Sequence, residues 1–421
     1  MNISVNMIGL GYIGLPTAAL IGSKINMSVI GVDVNQSICD SVNKGEVHIV
    51  EQGLDVLVKS VVDNNKLKAQ TTPTVADVYI IAVPTPFNDD YTADLKYVKK
   101  ACENLAPYLS NSALVILEST SPVGTTENVL SWLSDLRPDL QFPLLDGNYD
   151  ESYDGVSIAY CPERILPGNA IEELQKNDRV IGGISGNCSR KAKDFYVQFV
   201  DGECIETNSR TAEMAKLTEN SFRDVNIAFA NELSMISDKL NINVWELIAL
   251  ANRHPRVNIL NPGCGVGGHC IAVDPWFIVD SCPEHAKLIK EARLSNDKKP
   301  MWVANKVLEM KAQIQGDEFV SISCYGLAFK PNIDDFRESP AVIVVKEIAR
   351  LMPNIEINIV EPFLLNGLPK DLSDIENVKL VNCIDARKSD VKVFLVAHDQ
   401  FKPEFELVKD ENSVLNVAWA S

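Results

Sequence analysis

No apolar run in this 421-residue chain approaches the ~20 residues that cross a bilayer, which argues against a membrane-spanning protein. Positive charge is scarce as well: 39 Lys and Arg stand against 57 Asp and Glu, a formal net charge of −18. That balance argues against nucleic acid or an anionic membrane as partner, so an anionic ligand must be held by local cations and helix ends. The ten cysteines are scattered without paired spacing and read as cytosolic thiols, not as a disulfide framework. Strand-like sequence begins at the third residue, which predicts no secretory leader, and no metal site is expected. What is present, 46% apolar residues over a length sufficient for two or three domains, is ordinary for a globular enzyme.

The chain opens with the apolar run Ile3-Ser4-Val5-Asn6-Met7-Ile8 and turns through Gly9-Leu10-Gly11-Tyr12-Ile13-Gly14. A helical stretch comes next, then a second apolar run, Val29-Ile30-Gly31-Val32, ending at Asp33. Strand, glycine turn, helix, strand and acid, in that order, are what a dinucleotide fingerprint requires. Gly9 makes the tight turn, Gly11 admits the pyrophosphate, and Gly14 allows helix and strand to pack closely. Asp33 would accept hydrogen bonds from the adenosine ribose and repel a 2′-phosphate, which favours NAD over NADP.

The first ~200 residues alternate apolar runs with helical patterns, as in a parallel doubly wound sheet. The run 78–83 stops at Pro84-Thr85-Pro86, and Leu114-Val115-Ile116-Leu117 stops at Glu118-Ser119-Thr120-Ser121-Pro122. Both are strands ending in hydroxyl-rich turns at the carboxyl edge, where ligands bind in such sheets. Thr85, Thr120 and Thr126 are therefore either ligand contacts or turn-closing hydroxyls. With Ser209 as its cap, a helix is predicted from about Thr211 to Leu240, roughly 45 Å long. From about residue 316 the opening grammar repeats: a strand at 320–324, a turn at Gly326, a helix from Ser339-Pro340, and a strand at 357–360 ending at Glu361. This second copy lacks the full glycine fingerprint, so it is expected to bind something other than a dinucleotide. The fold predicted is α/β, with two doubly wound Rossmann-like domains joined by a long central helix and a small helical domain. The boundaries fall at 1–207, 208–313 and 314–421.

Lys216, Asn220 and Arg223 stand at i, i+4 and i+7 and share one helix face, either a solvated stripe or an active-site wall. A lysine there could exchange a proton with a carbinol, with an amide orienting both. The run Gly263-Cys264-Gly265-Val266-Gly267-Gly268-His269-Cys270 can wrap a ligand and still present a thiol. A thiol is well suited to trapping a carbonyl, although a free cysteine is commonly a buried structural residue. A disulfide between Cys264 and Cys270 is a further reading. NAD, a lysine and a cysteine together point to two successive oxidations, alcohol to aldehyde and thiohemiacetal to thioester, with hydrolysis after them. Glu163 and Asp274 could position the hydrolytic water, or either could be a structural carboxylate paired with Arg164 or Lys216. Lys330 and Arg337 precede a helix N-terminus in a manner that suits a diphosphate, and His254 and Arg256 lie near the cysteine loop in sequence.

The runs 9–19, 117–126, 160–168, 176–183, 217–224, 254–260, 265–275 and 329–340 together resemble the UDP-sugar 6-dehydrogenase family over nearly the whole chain. The resemblance implies NAD-binding, central helical and UDP-binding domains, a homodimer built on the central helix, and a cytoplasmic enzyme. It implies double oxidation at C6 of UDP-N-acetyl-D-mannosamine, with the N-acetylglucosamine and N-acetylgalactosamine forms as alternatives. The product would enter acidic surface polysaccharides such as enterobacterial common antigen or capsule. By motif position, Cys270 is the nucleophile and Lys216 the proton donor and acceptor. Tyr12, Ile13, Asp33, Thr85 and Thr126 would contact NAD. Arg164, Ile165, Lys216, Asn220, Arg223, His254, Arg256, Gly267, Lys330 and Arg337 would contact the nucleotide sugar.

The chain departs from the family pattern in three places. Cys264 replaces a usual proline, Pro167 a glutamate of glucose-type relatives, and 415–420 an expected Asp-x-Lys-Gly stretch. Two other classes fit the residues less fully: a one-step hydroxyacid dehydrogenase, and a sensor that binds nucleotide sugars without turnover.

Overall fold

Apolar β-branched runs separated by helical spacing form two sheets. The computed structural model describes residues 2–49, 51–88, 90–145, 155–165, 168–268, 270–314, 321–364 and 367–419. These divide into two compact units, Met1–Glu219 and Asn220–Ser421. Pro167 and Ala420, two of the departures from the family pattern, lie outside the described residues, as does His269 of the cysteine loop.

The first unit holds β1 (Ile3–Ile8), β2 (Met27–Val32), β3 (Leu67–Gln70), β4 (Val78–Ile81), β5 (Leu114–Leu117), β6 (Ser157–Tyr160), β7 (Arg179–Gly183) and β8 (Cys204–Asn208). Their order is β3-β2-β1-β4-β5-β6-β7-β8. Pairs are parallel as expected, except that β7 runs antiparallel to β6. The link between those two returns along the edge where β6 ends, so the Glu163-Arg164 segment stays at the carboxyl edge. Both faces of the sheet are covered by apolar clusters, one around Met7, Leu15 and Ile80, the other around Tyr79, Val115 and Ile158. This accounts for strands that read as continuous apolar runs.

The long helix spans Ser209–Lys239. Its cap is Asn208, not the predicted Ser209: the Asn208 side-chain oxygen accepts the Thr211 N–H at 2.9 Å. Asn208 ends β8, so the cap and the strand end coincide and the helix starts two residues early.

In the second unit, the long helix meets the Lys287–Gln313 helix through polar residues. Buried Arg293 pairs with buried Asp224. Asn296 donates to Asp224 at 2.8 Å and accepts from Asn231 at 2.9 Å. Lys299 donates to Ser234 and lies 3.8 Å from the Trp302 ring centroid. The sheet of this unit contains β9 (Ser321–Tyr325), β10 (Glu356–Val360), β11 (Val378–Leu380), β12 (Val391–Phe394) and β13 (Val414–Asn416), in the order β11-β10-β9-β12-β13 and wholly parallel. The Pro340–Leu351 helix starts as predicted, with the Ser339 hydroxyl accepting the Ala341 N–H. The atypical tail completes this core. Trp419 packs against Phe394 and Phe405, and Asn416 donates to the Trp419 carbonyl at 2.7 Å.

Candidate functional site

At the carboxyl edge of the first sheet the three glycines are distinct in what surrounds them. Gly9 has φ +99°, and a Cβ there would lie 2.4 Å from the Ala82 carbonyl oxygen. A Cβ on Gly14 would lie 1.9 Å from the Gly9 oxygen. Gly11 faces open space, with nothing within 4 Å of its Cβ position. Gly9 and Gly14 thus serve the packing, and Gly11 leaves room for a ligand. The Gly14–Gly22 helix has no side-chain cap and no acidic residue in its first turn, so its amide dipoles are available to a phosphate. Asp33 accepts the Leu10 N–H at 3.0 Å and the Asn35 N–H at 2.9 Å, fixing the turn and leaving further lone pairs for a ribose. Tyr12 is exposed beside this turn, and Ile13 stands at the N-cap position of the helix. These residues fit a bound dinucleotide, whose chemistry would be to accept hydride.

The two hydroxyl-rich turns are knitted together. Thr85 donates to the Thr120 carbonyl at 2.5 Å and Ser119 to the Val83 carbonyl at 2.7 Å. The Thr126 hydroxyl is turned inward, donating at 2.6 Å to buried Glu213 of the long helix. Sequence reasoning missed Glu213, because its partners lie 87 and 89 residues away.

Glu163 is buried, and its ion-pair partner is neither of the two expected. It forms an ion pair of 2.6 Å with buried Arg179, the first residue of β7, and accepts the Arg164 N–H at 2.7 Å. Arg164 instead forks onto Glu219 of the long helix, at 2.6 Å. Ile165 packs against the first apolar cluster. Behind Arg179 lies Tyr196, whose hydroxyl donates to buried Glu118 at 2.6 Å. Burial pushes the Glu118 carboxyl up to about 7. Lys216 is buried on the long helix, and among the described residues its ammonium has no hydrogen bond or ion pair.

In the second unit Asn220, Cys270 and Asp274 come together. Asn220 Nδ2 donates to Asp274 Oδ2 at 2.5 Å, and Asp274 is buried at the start of the Asp274–Ser281 helix. The Cys270 carbonyl accepts the Val273 and Asp274 N–H groups at 3.1 and 2.9 Å. Cys270 is exposed, whereas Cys264 is buried in the core beneath the second sheet and pushed up to about 12 by that burial. Cys264 is therefore a packing thiol, donating to the Leu395 carbonyl, and the pairing with Cys270 is not formed.

The glycines preceding Cys270 are explained by what they touch. A Cβ on Gly267 would lie 2.4 Å from the Glu338 carbonyl oxygen, and one on Gly268, at φ +84°, would lie 3.1 Å from the Phe329 ring. The cysteine loop is thus laid directly on the 329–340 segment, joining two motifs that the sequence presents 60 residues apart. Lys330 lies 5.9 Å from the Phe329 ring centroid, and Arg337 forks onto Asp335 with contacts of 2.9 and 2.5 Å. His254 and Arg256 are exposed in a turn closed by Asn252, which accepts the Ile259 N–H and donates to its carbonyl. Arg223 is exposed on the long helix.

A dinucleotide edge, a glycine-cradled thiol and a second nucleotide-type sheet define an oxidoreductase acting on a nucleotide-linked substrate. The chain belongs to the UDP-glucose/GDP-mannose dehydrogenase family: its NAD binding domain matches at 1–200, its central domain at 210–298 and its UDP binding domain at 323–416. Among curated relatives, a UDP-N-acetyl-D-mannosamine dehydrogenase of Salmonella typhi is 55% identical over 95% of this chain and 94% of its own. An NDP-N-acetyl-D-galactosaminuronic acid dehydrogenase of Ralstonia nicotianae is 51% identical over 95% and 92%. The solved UDP-D-ManNAc dehydrogenase of Pyrococcus horikoshii aligns with a TM-score of 0.83 at 35% identity, covering 98% of this chain and 93% of that one.

Proposed function

We propose that the chain oxidises UDP-N-acetyl-D-mannosamine at C6 to the uronate, in two NAD-dependent steps, in the cytoplasm and for surface polysaccharide synthesis. The observation that carries this reading is the 55% identity to a UDP-N-acetyl-D-mannosamine dehydrogenase, spread over 95% of the chain. The domain limits proposed are 1–207, 208–313 and 314–421, close to the three family matches.

NAD, when bound at the Gly9–Gly14 turn, would supply the hydride acceptor for each oxidation. Lys216 takes the C6 hydroxyl proton as the first hydride leaves and holds the developing oxyanion. Cys270 Sγ then bonds to the aldehyde carbon, its proton passing to the carbonyl oxygen, to give a thiohemiacetal. Loss of the second hydride and of the hydroxyl proton gives a thioester on Cys270. Water attacks that carbon, the C–S bond breaks, and the carboxylate leaves as the thiol is restored. Asn220 orients the reacting oxygen, while Asp274 and Glu163 position the water. The whole sequence consumes one alcohol, two NAD and one water, and it yields one carboxylate, two NADH and three protons. Arg164, Ile165, Arg223, His254, Arg256 and Gly267 hold the nucleotide sugar, and Lys330 and Arg337 its diphosphate. Arg337 would have to exchange Asp335 for phosphate. Tyr12, Ile13, Asp33, Thr85 and Thr120 hold the cofactor, and Thr126, whose buried hydroxyl is bonded to Glu213, shapes that edge from within.

A homodimer through the long helix is part of the proposal. Phe222, Phe229 and Ile236 stand at i, i+7 and i+14 on that helix and are 70%, 54% and 47% exposed, an apolar stripe suited to a second copy. The galacto epimer is the second reading, favoured by the 51% identical Ralstonia relative.

The deciding measurement is NADH formed per UDP-N-acetyl-D-mannosamine consumed, with an expected value of two. A ratio of one, or turnover of only the gluco or galacto form, overturns the assignment.

A further inference from the structure

The N-terminal turn of the Thr125–Leu136 helix comes just after the loop that ends β5, and it has no cap of its own. Gly124, with φ +97°, has no side chain to offer. The free amides are instead met from the long helix. Glu213 Oε2 accepts the Gly124 N–H at 2.7 Å, and Oε1 accepts both the Thr126 N–H at 2.7 Å and the Thr126 hydroxyl at 2.6 Å. The Glu213 side chain is fully buried. Desolvation pushes its carboxyl up, and the three donors oppose that shift. An ionised carboxylate only accepts, so it matches three donors where an amide would point an NH2 at one of them.

The loop so held carries Thr120, which in turn is tied to Thr85. Glu213 also lies three residues before Lys216, on the same face of the same helix. We propose that Glu213 is a positioning residue that locks the cofactor-edge loop 118–124 to the helix bearing Lys216, and so fixes where the nicotinamide sits relative to the base. This rests on the reading of Lys216 and the threonines given above. The exposed Arg210–Glu127 fork, at 2.6 Å, links the same two helices but is wet and contributes little by comparison.

The test is NAD binding by calorimetry without sugar, alongside steady-state kinetics, for Glu213→Gln and Glu213→Asp. Glu213→Gln should weaken NAD by about tenfold or more, the loss of one charge-assisted hydrogen bond, and raise the KM for NAD in step. The KM for the UDP-sugar should stay within about twofold, a split that general loosening of the fold would not produce. Glu213→Asp keeps the charge but not the reach and should fall between; if Glu213→Gln fails to fold, it carries the test. NAD affinity equal to wild type in either folded variant, or an equal rise in both KM values, overturns the proposal. Wild-type protein that binds NAD but oxidises no UDP-sugar would sink the proposed function, and the calorimetric result would still decide the role of Glu213.

Discussion

The two sheets use the same device and arrive at different ends. In the first, Gly9 turns after β1 at φ +99° and Asp33, beyond β2, accepts the Leu10 N–H. In the second, Gly326 turns after β9 at φ +95° and Glu361, beyond β10, accepts the Leu327 N–H at 2.7 Å. They differ in how far the chain runs past the glycine before a helix begins. After Gly9 it enters a helix at Gly14, leaving space over Gly11 and a carboxylate with lone pairs to spare. After Gly326 thirteen residues intervene before the helix at Pro340, and this longer loop becomes the bed on which the cysteine loop lies. Glu361 is saturated: Leu327, Ala328 and Phe363 donate to it, and so does His398 Nε2 at 3.2 Å. The His398 tautomer is set by the Asn332 N–H, which donates to Nδ1 at 2.9 Å. One acid is left open to a ligand and the other is closed into structure, so length after the glycine decides whether the device binds or builds.

The largest effect expected lies at the cysteine loop that the second loop supports, where the proposed nucleophile stands. Cys270→Ser should cut acid formation by about a thousandfold or more while the first hydride transfer continues slowly, read as uronate by chromatography and NADH by absorbance. Uronate at near wild-type rate would make the cysteine loop structural, whereas one NADH per substrate with no loss of rate in the variant is what a one-step hydroxyacid dehydrogenase would give. A paired substitution separates binding from building. Gly11→Val should leave the melting temperature near wild type and weaken NAD by about a hundredfold, because its side chain fills ligand space and not protein. Gly326→Val should do the reverse, costing about 3 kcal/mol or more through its positive φ and a Cβ only 2.5 Å from Val396 Cβ, with NAD affinity unchanged. A common loss of NAD affinity in both would erase the distinction.

Exchanging the acids for amides sharpens it further. Glu361→Gln sets an NH2 among buried donors and should cost about 2–3 kcal/mol by urea denaturation, against about 1 kcal/mol for the half-exposed Asp33→Asn. The smallest effect concerns Glu118, whose Oε2 has no hydrogen-bond partner among the described residues. Its pKa is raised by burial from 4.5 to about 7, so between those values the native state holds a proton that the unfolded chain has lost. Stability from this group therefore falls as pH rises through that window. Glu118→Gln should flatten the dependence and gain on the order of 1–3 kcal/mol at pH 8 relative to pH 4.5.

Much of this comparison is legible from residues close in sequence. β1 and β5 match their expected limits, the Gly326 turn and the Ser339 cap stand where local grammar puts them, and the glycine spacing singles out Gly11. What escapes is partner choice over distance. Glu163 has basic candidates nearby in Arg164 and on the long helix, yet it takes Arg179, because the antiparallel return of β7 brings that residue back to the edge where β6 stops. Glu213 carries no local mark of its task. The Lys287–Gln313 helix is likewise obscured, since its buried residues include Arg293, Asn296 and Lys299 beside apolar ones such as Val303 and Val307, and only paired polar groups on another helix make the polar part fit for burial.

Burial also sorts the ten thiols. Seven are buried, Cys383 is partly covered, and only Cys270 and Cys282 are exposed. An alkylating reagent or a peroxide arriving from solvent therefore meets the proposed nucleophile among its first encounters, while the remaining sulfurs are shielded. A Cys282→Ser background would turn the native chain into a nearly single-site scaffold for a reporter dye placed at the proposed nucleophile.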